Sequence, residues 1–162
     1  MTEAKTKLIR ILQNAHAGEL GAAYAYRGHW KSLRKLAERL RVQQIEREEW
    51  KHREKVSRWL SEFNAKPRKL REMIFWIIGR SLGAMCYVSG WFLPMYFAGR
   101  LESHGVQEYI DAAELAKELK MQTCSDEMKE MSRVEQEHEN FFRQTVSSHR
   151  LLPAAKIFFR WS

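Results

Sequence analysis

Two short segments with the same spacing, Glu49-Trp50-Lys51-His52 and Glu135-Gln136-Glu137-His138, constrain this chain more than any other feature. A Glu and a His three residues apart on a helix lie about one turn from each other, so both can reach a single metal ion. Either pair alone is a weak signal, because Glu on a helix ordinarily belongs to a solvated face. Two further carboxylates, Glu19 and Glu102, fall on two other predicted helices. These six side chains can serve one site only if four helices face inward at one height. That arrangement puts four Glu in a bundle core, which is untenable without a compensating cation. The burial of Glu19, Glu49, Glu102 and Glu135 therefore separates a metal site from four solvated surfaces.

The periodicity of the chain supplies such helices. Helix A is expected from about Glu3 to Lys31, where Leu8, Ile11, Leu12, Ala15, Ala22 and Tyr26 follow a 3.6-residue stripe. Gly18 and Gly21 flank Glu19, and glycine inside a helix costs roughly 1 kcal/mol relative to Ala. They point to close packing around a buried carboxylate, although a small-residue crossing with Glu19 at the surface reads the same residues equally well. Helix B is expected from about Ala37 to Phe63. No Pro or Gly marks the A–B turn. If Glu19 and Glu49 sit at mid-height in antiparallel helices, the turn falls near Leu33 to Leu36, with arms of on the order of 22 Å. Asn64-Ala65-Lys66-Pro67 ends helix B, because residues before Pro avoid the α region.

From Met73 to Ala98 the chain is strongly apolar and carries a single charge, Arg80. Length alone allows a transmembrane helix, but Ser89-Gly90 and Pro94 interrupt the run. The preferred reading is helix C, about Lys69 to Val88, as a long crossover. Helix D then runs from near Trp91 to about Lys120 with Pro94 in its first turn. A face bearing Phe75, Trp76, Trp91 and Phe92 beside Lys66, Arg68, Lys69 and Arg71 suits a membrane surface. A core-packing helix with a solvated basic end is the competing reading. Met121 to Ser125 reads as a short turn, with Ser125 capping helix E, about Asp126 to Ser148. Beyond Pro153 the apolar tail, with its cations Lys156 and Arg160, reads as an amphipathic anchor or a segment docked on the bundle.

These elements describe an all-α chain in a single domain over residues 1–162, with a core over about 3–148 and a tail over 151–162. A length of 162 residues is enough to bury a core. The formal charge of +8 and a pI of about 9.7 favour an anionic partner, either a membrane surface or nucleic acid. Arg34, Lys35, Arg39 and Arg41 offer a basic face, but no helix-turn-helix pattern accompanies them, and nucleic acid is not expected. Cys86 and Cys124 form no Cys-x-x-Cys and indicate a reducing compartment. The N-terminal segment has neither a signal-peptide core nor transit-peptide character. The expected location is the cytoplasmic face of the cell membrane, as a peripheral protein.

Several stretches follow the motif order of one family. They are His16-Ala17-Gly18-Glu19-Leu20-Gly21-Ala22 with Tyr26 and Gly28 beyond, the Glu49–His52 segment, and then Pro67, Trp76, Gly79 and Leu82-Gly83-Ala84. Leu101-Glu102-Ser103-His104-Gly105-Val106-Gln107-Glu108-Tyr109 and the Glu135–His138 segment complete the series. From about residue 10 to 145 the chain resembles the demethoxyubiquinone hydroxylase family. The resemblance implies a ferritin-like four-helix bundle with an apolar crossover helix and a short C-terminal amphipathic tail, holding two iron ions. It implies Glu19, Glu49, His52, Glu102, Glu135 and His138 as ligands, with some of the carboxylates bridging. Such a hard, anionic set offsets the metal charge and leaves positions open for O2.

Tyr26 and Tyr109 lie two turns after Glu19 and Glu102, on the ligand face. They are candidate catalytic groups that hydrogen-bond the ligands, and His16, one turn before Glu19, is a further candidate. Aromatic core packing competes with that role. The implied activity is a monooxygenase that uses O2 to hydroxylate a polyprenyl benzoquinone ring in ubiquinone biosynthesis at the membrane surface, with homo-oligomers allowed. A ferritin-like iron-binding or oxidase protein without quinone hydroxylase activity would use the same ligands. The chain also departs from the family. The family usually carries His before the Tyr of its third motif, where this chain has Glu108. It usually carries a second His and an acid after the last ligand His, where this chain has Glu139 and Asn140. These changes alter hydrogen bonding around the ligands and bear on the reaction more than on the metal site.

Overall fold

A computed structural model describes residues 2–159 and 161. Among these residues there are six helices and no strand: α1 Glu3–Ser32, α2 Leu36–Glu62, α3 Lys69–Met85, α4 Phe92–Glu118, α5 Gln122–Val146 and α6 Leu152–Phe159. Helix α1 packs chiefly on α2 and α3, and α4 on α5, while contacts between α1 and α4 join the pairs. Two apolar clusters fill the ends of this ferritin-like bundle. One brings Leu8 and Leu12 of α1 against Val56 and Leu60 of α2, Ala112 and Ala116 of α4, and Met128 of α5. The other gathers Tyr26, Val42, Ile45, Tyr96 and Phe142. Early residues of α1 thus meet late residues of α2 and α4, which makes both neighbours antiparallel to α1. The buried Glu19, Glu49, His52, Glu102, Glu135 and His138 lie between the clusters.

The A–B turn falls at Leu33 to Lys35, as the half-length argument expects. Helix α2 ends through Asn64 in the left-handed region (φ 54°), with the N–H of Ala65 donating to the carbonyl of Leu60 at 2.8 Å. Lys120 does the same for α4 (φ 57°), and the N–H of Met121 reaches Ala116 at 2.9 Å. This tight reversal lets α5 begin at Gln122, four residues before the expected start. Ser125 is therefore not a cap. It sits inside the first turn, its N–H donating to Met121 at 3.0 Å, and its buried Oγ has no partner.

Helix α3 is the crossover, and it lies against α1 through glycine. A Cβ at Gly79 would overlap the carbonyl oxygen of Gly21, and one at Gly28 would overlap Gly83. The two backbones touch, which only glycine allows. Its outer face leaves Leu70, Met73, Ile74, Ile77 and Met85 exposed, and Val88 just beyond it is exposed as well. The aromatic face expected there is only partly present. Trp76 is exposed, but Phe92 is buried and stacks on His149 at 4.2 Å, and Trp91 donates to Glu38 at 2.7 Å. Arg71 also turns inward over the Phe75 ring. Lys66, Arg68 and Lys69 stay at the surface.

Helix α6 docks on the bundle, with Ala155 buried and its carbonyl accepting from Tyr96 at 3.1 Å. Ile157 and Phe158 face outward, Phe159 packs edge-on against Phe97 at 4.9 Å, and Arg160 lies outside the described residues. Among the described residues no helix is long and apolar enough to cross a membrane.

The α1–α3 contact predicts a contrast between two glycines. Gly79→Ala forces two backbones apart and should destabilise by about 2 kcal/mol, lowering the melting temperature by roughly 4–8 °C. Gly18→Ala meets no atom within 4 Å and should leave it unchanged or raise it. Thermal melting followed by circular dichroism checks both; equal effects would contradict the contact.

Candidate metal centre

Glu19 on α1, Glu49 and His52 on α2, Glu102 on α4, and Glu135 and His138 on α5 meet in the polar layer between the clusters. None is more than 6% exposed. The i, i+3 spacing turns each Glu and its His toward the same interior point. Glu19, Glu49, His52 and Glu135 each offer one ligand atom, and these atoms lie within 4.8 Å of one another. Glu49, Glu102, Glu135 and His138 do the same. Glu49 and Glu135 belong to both groups, so the layer contains two adjacent positions that share two carboxylates. Each group could hold a metal ion, and a pair of irons is compatible with them.

Individual contacts fill out this picture. His52 Nδ1 lies 2.7 Å from Glu135 Oε1 and 3.8 Å from Glu19 Oε1. His138 Nδ1 lies 3.3 Å from Glu49 Oε1, 3.5 Å from Glu102 Oε2 and 3.7 Å from Glu135 Oε2. Glu49 Oε1 and His138 Nδ1 are buried, face each other and have no hydrogen-bond partner. Buried atoms of this kind are unfavourable unless satisfied, and a cation between them would satisfy both. The donor set therefore fits a metal pair.

Around the six, Tyr26 donates to Glu102 and Tyr109 to Glu19, so each tyrosine holds a carboxylate of another helix. His138 Nε2 lies 2.8 Å from Glu48 Oε2, and Arg41 and Gln44 hold the Glu48 carboxylate in turn. Sequence reasoning missed Glu48, since nothing in its spacing separates it from other surface glutamates of α2. His16 does not reach the ligands. Its Nδ1 lies 2.7 Å from Glu72 of α3, which also pairs with Arg53 of α2 at 2.6 Å. Of the departures, Asn140 is exposed and away from the site. Glu139 is buried and accepts from Trp161 at 3.1 Å. Glu108 lines an apolar cavity of about 300 Å³ between α1, α3 and α4 that ends on Glu19, Glu49, Glu102 and Glu135.

The family described as "Ubiquinone biosynthesis protein COQ7" matches residues 6–115. That span takes in Glu19, Glu49, His52 and Glu102 and stops before α5, so Glu135 and His138 join the site through geometry alone. No curated protein and no solved structure gives a significant match.

The electrostatics of the metal-free layer are strained in a definite direction. Burial, then the Glu135 carboxylate, raises Glu102 to about 8. Burial, then Glu135 and Glu19, holds Glu49 well above the carboxylate range. Burial alone would lower His138, but Glu102, Glu135, Glu48 and Glu49 outweigh it and raise it. Burial opposes ionisation of Glu48, yet His138, Gln44 and Arg41 bring it down to about 2.

A group with a raised folded pKa binds more protons folded than unfolded between the two values, so its contribution falls as pH rises. Glu102, Glu49 and His138 share that sign. The buried His29 and His52, lowered by burial, act oppositely, but only below the ordinary imidazole value. In chelator, the melting temperature should therefore fall from about pH 6.5 to about pH 8. A rise across that window in thermal denaturation would contradict the arrangement.

Proposed function

The chain belongs to the family of ubiquinone biosynthesis protein COQ7, and on that premise we propose that it is a di-iron monooxygenase that hydroxylates a polyprenyl benzoquinone ring. The single observation that carries this reading is the apolar cavity that ends on the shared carboxylates. A storage or oxidase site needs access for ions and O2. An apolar cavity suits an organic ring instead.

Glu19, Glu49, His52, Glu102, Glu135 and His138 would hold the metals. Two irons bound there supply the activation of O2 that hydroxylation needs. The protein does the rest. Tyr26 and Tyr109 fix the orientation of Glu102 and Glu19 through their hydroxyls. Glu48 accepts from His138 Nε2, which leaves the Nδ1 lone pair directed at the carboxylate layer. The apolar cavity walls would surround the ring with aliphatic and aromatic side chains. Glu108, raised to about 7 chiefly by burial, can hold a proton on its carboxyl at the cavity wall.

The exposed apolar face of α3 and the outward side chains Ile157 and Phe158 support a peripheral seat on a membrane, from which a polyprenyl chain would enter. Lys66, Arg68, Lys69 and Lys156 are exposed and suit anionic headgroups.

Iron-reconstituted protein supplied with a reductant and O2 should hydroxylate a short-tailed demethoxyquinone, read by mass spectrometry of the extracted quinone. Gly18→Leu, which projects a side chain from the cavity wall, should keep its iron and lose at least about tenfold in turnover. Full iron with no hydroxylated product in the wild type would favour an iron-binding or oxidase protein instead.

A further inference from the structure

One polar group in the cavity wall is fully buried with an unpartnered ring nitrogen. His29 of α1 lines the cavity, is 2% exposed, and has a buried Nε2 without a hydrogen-bond partner. Its ring is held flat against Tyr26 and Phe142, with centroids 6.5 and 6.2 Å away and planes inclined by 24° and 13°. Burial pushes it down to about 4, so the imidazole is neutral near pH 7 and carries one N–H and one lone pair. No carboxylate contributes to that shift, which sets His29 apart from His52 and His138. The wall around it is apolar, with Ala22, Ala25, Pro94, Phe97 and Ala98.

Its place relative to the metal layer is informative. Tyr26 reaches Glu102 through its hydroxyl. His29 stands one helical turn beyond Tyr26 on α1, about 4.5 Å further along the helix axis from Glu19. A ring inserted between His29 and Glu102 would present one edge to each. A buried ring nitrogen without a partner in an apolar wall discriminates strongly among ligands, because a ligand lacking a complementary polar group leaves it unsatisfied.

We propose that His29 is a positioning residue for the substrate: its Nε2–H donates to an oxygen on the quinone ring and turns the opposite edge of the ring toward Glu102. This rests on the quinone hydroxylase reading and assigns within it what orients the ring. The role is specific to ring oxygens. The tail, having none, gains nothing from it.

Calorimetric titration of the purified protein in detergent with two probes tests this without turnover. One probe is a decyl-substituted methoxybenzoquinone; the other is decylbenzene, which has the same tail and no ring oxygen. The wild type should prefer the quinone. His29→Phe, which keeps the flat stack, should lose roughly three- to tenfold of that preference while its affinity for decylbenzene stays the same. His29→Gln, which still carries a donor, should retain most of it. In turnover the Phe variant should show its loss mainly in KM, with iron content unchanged. An undiminished preference in His29→Phe, or an equal loss in His29→Gln, would overturn the role of His29 and leave the quinone reading standing. A wild type that does not prefer the quinone would overturn both.

Discussion

Burying Glu19, Glu49, Glu102 and Glu135 in one layer is the constraint on which the rest of the structure depends. Four carboxylates taken out of water repel one another and lose their hydration, and two imidazoles offset only part of that. Without a cation the layer must hold protons, which is why Glu49 and Glu102 are raised and why His138 stays charged. The fold accepts this expense only in the middle. Above and below the layer the clusters around Leu12 and Met128 and around Ile45 and Phe142 are apolar and well packed. The glutamates are thus placed by the same helices whose ends supply the stability. Tyr26, Tyr109 and Glu48 then hold three of the six side chains in a single orientation each.

The crossover helix connects this layer to the outside. Backbone contact at Gly21, Gly28, Gly79 and Gly83 lets α3 lie close along α1. Phe75, Ile78 and Leu82 then line one wall of the cavity, with Ile78 and Leu82 also reaching the surface. Among the described residues no element covers the outer side of α3, which is apolar over most of its length. One helix therefore carries both the wall of the binding space and the surface facing the proposed membrane seat. The His16–Glu72–Arg53 network pins its first half to α1 and α2, so the cavity wall is held by polar contacts as well as by glycine.

Spacing made the pairing of Glu49 with His52 and of Glu135 with His138 legible, because a period of 3.6 residues ties each Glu to its His, whereas the full set with Glu19 and Glu102 needed the motif order of the family. The A–B turn was legible from the half-length of the helix arms, without a Pro or Gly to mark it. What escaped depended on contacts between distant segments. Glu48 looks like any exposed glutamate until His138 of α5 arrives beside it. Ser125 has the side chain of a cap, but the left-handed turn at Lys120 starts α5 earlier and draws Ser125 inside. Phe92 reads as a surface group by type, and tertiary packing on His149 overrides that. His16 sits on the ligand face of α1 by periodicity, yet the crossover supplies Glu72 and takes it away from the ligands.

The central claim is that Glu49 and Glu135 are shared between two adjacent metal positions. Mössbauer spectroscopy of protein loaded with iron-57, with the iron content measured on the same sample, tests it most directly. The account predicts about two irons per chain that are magnetically coupled through shared carboxylates, and loss of both in Glu49→Ala. A single uncoupled iron in the wild type, or full occupancy in Glu49→Ala, would contradict it.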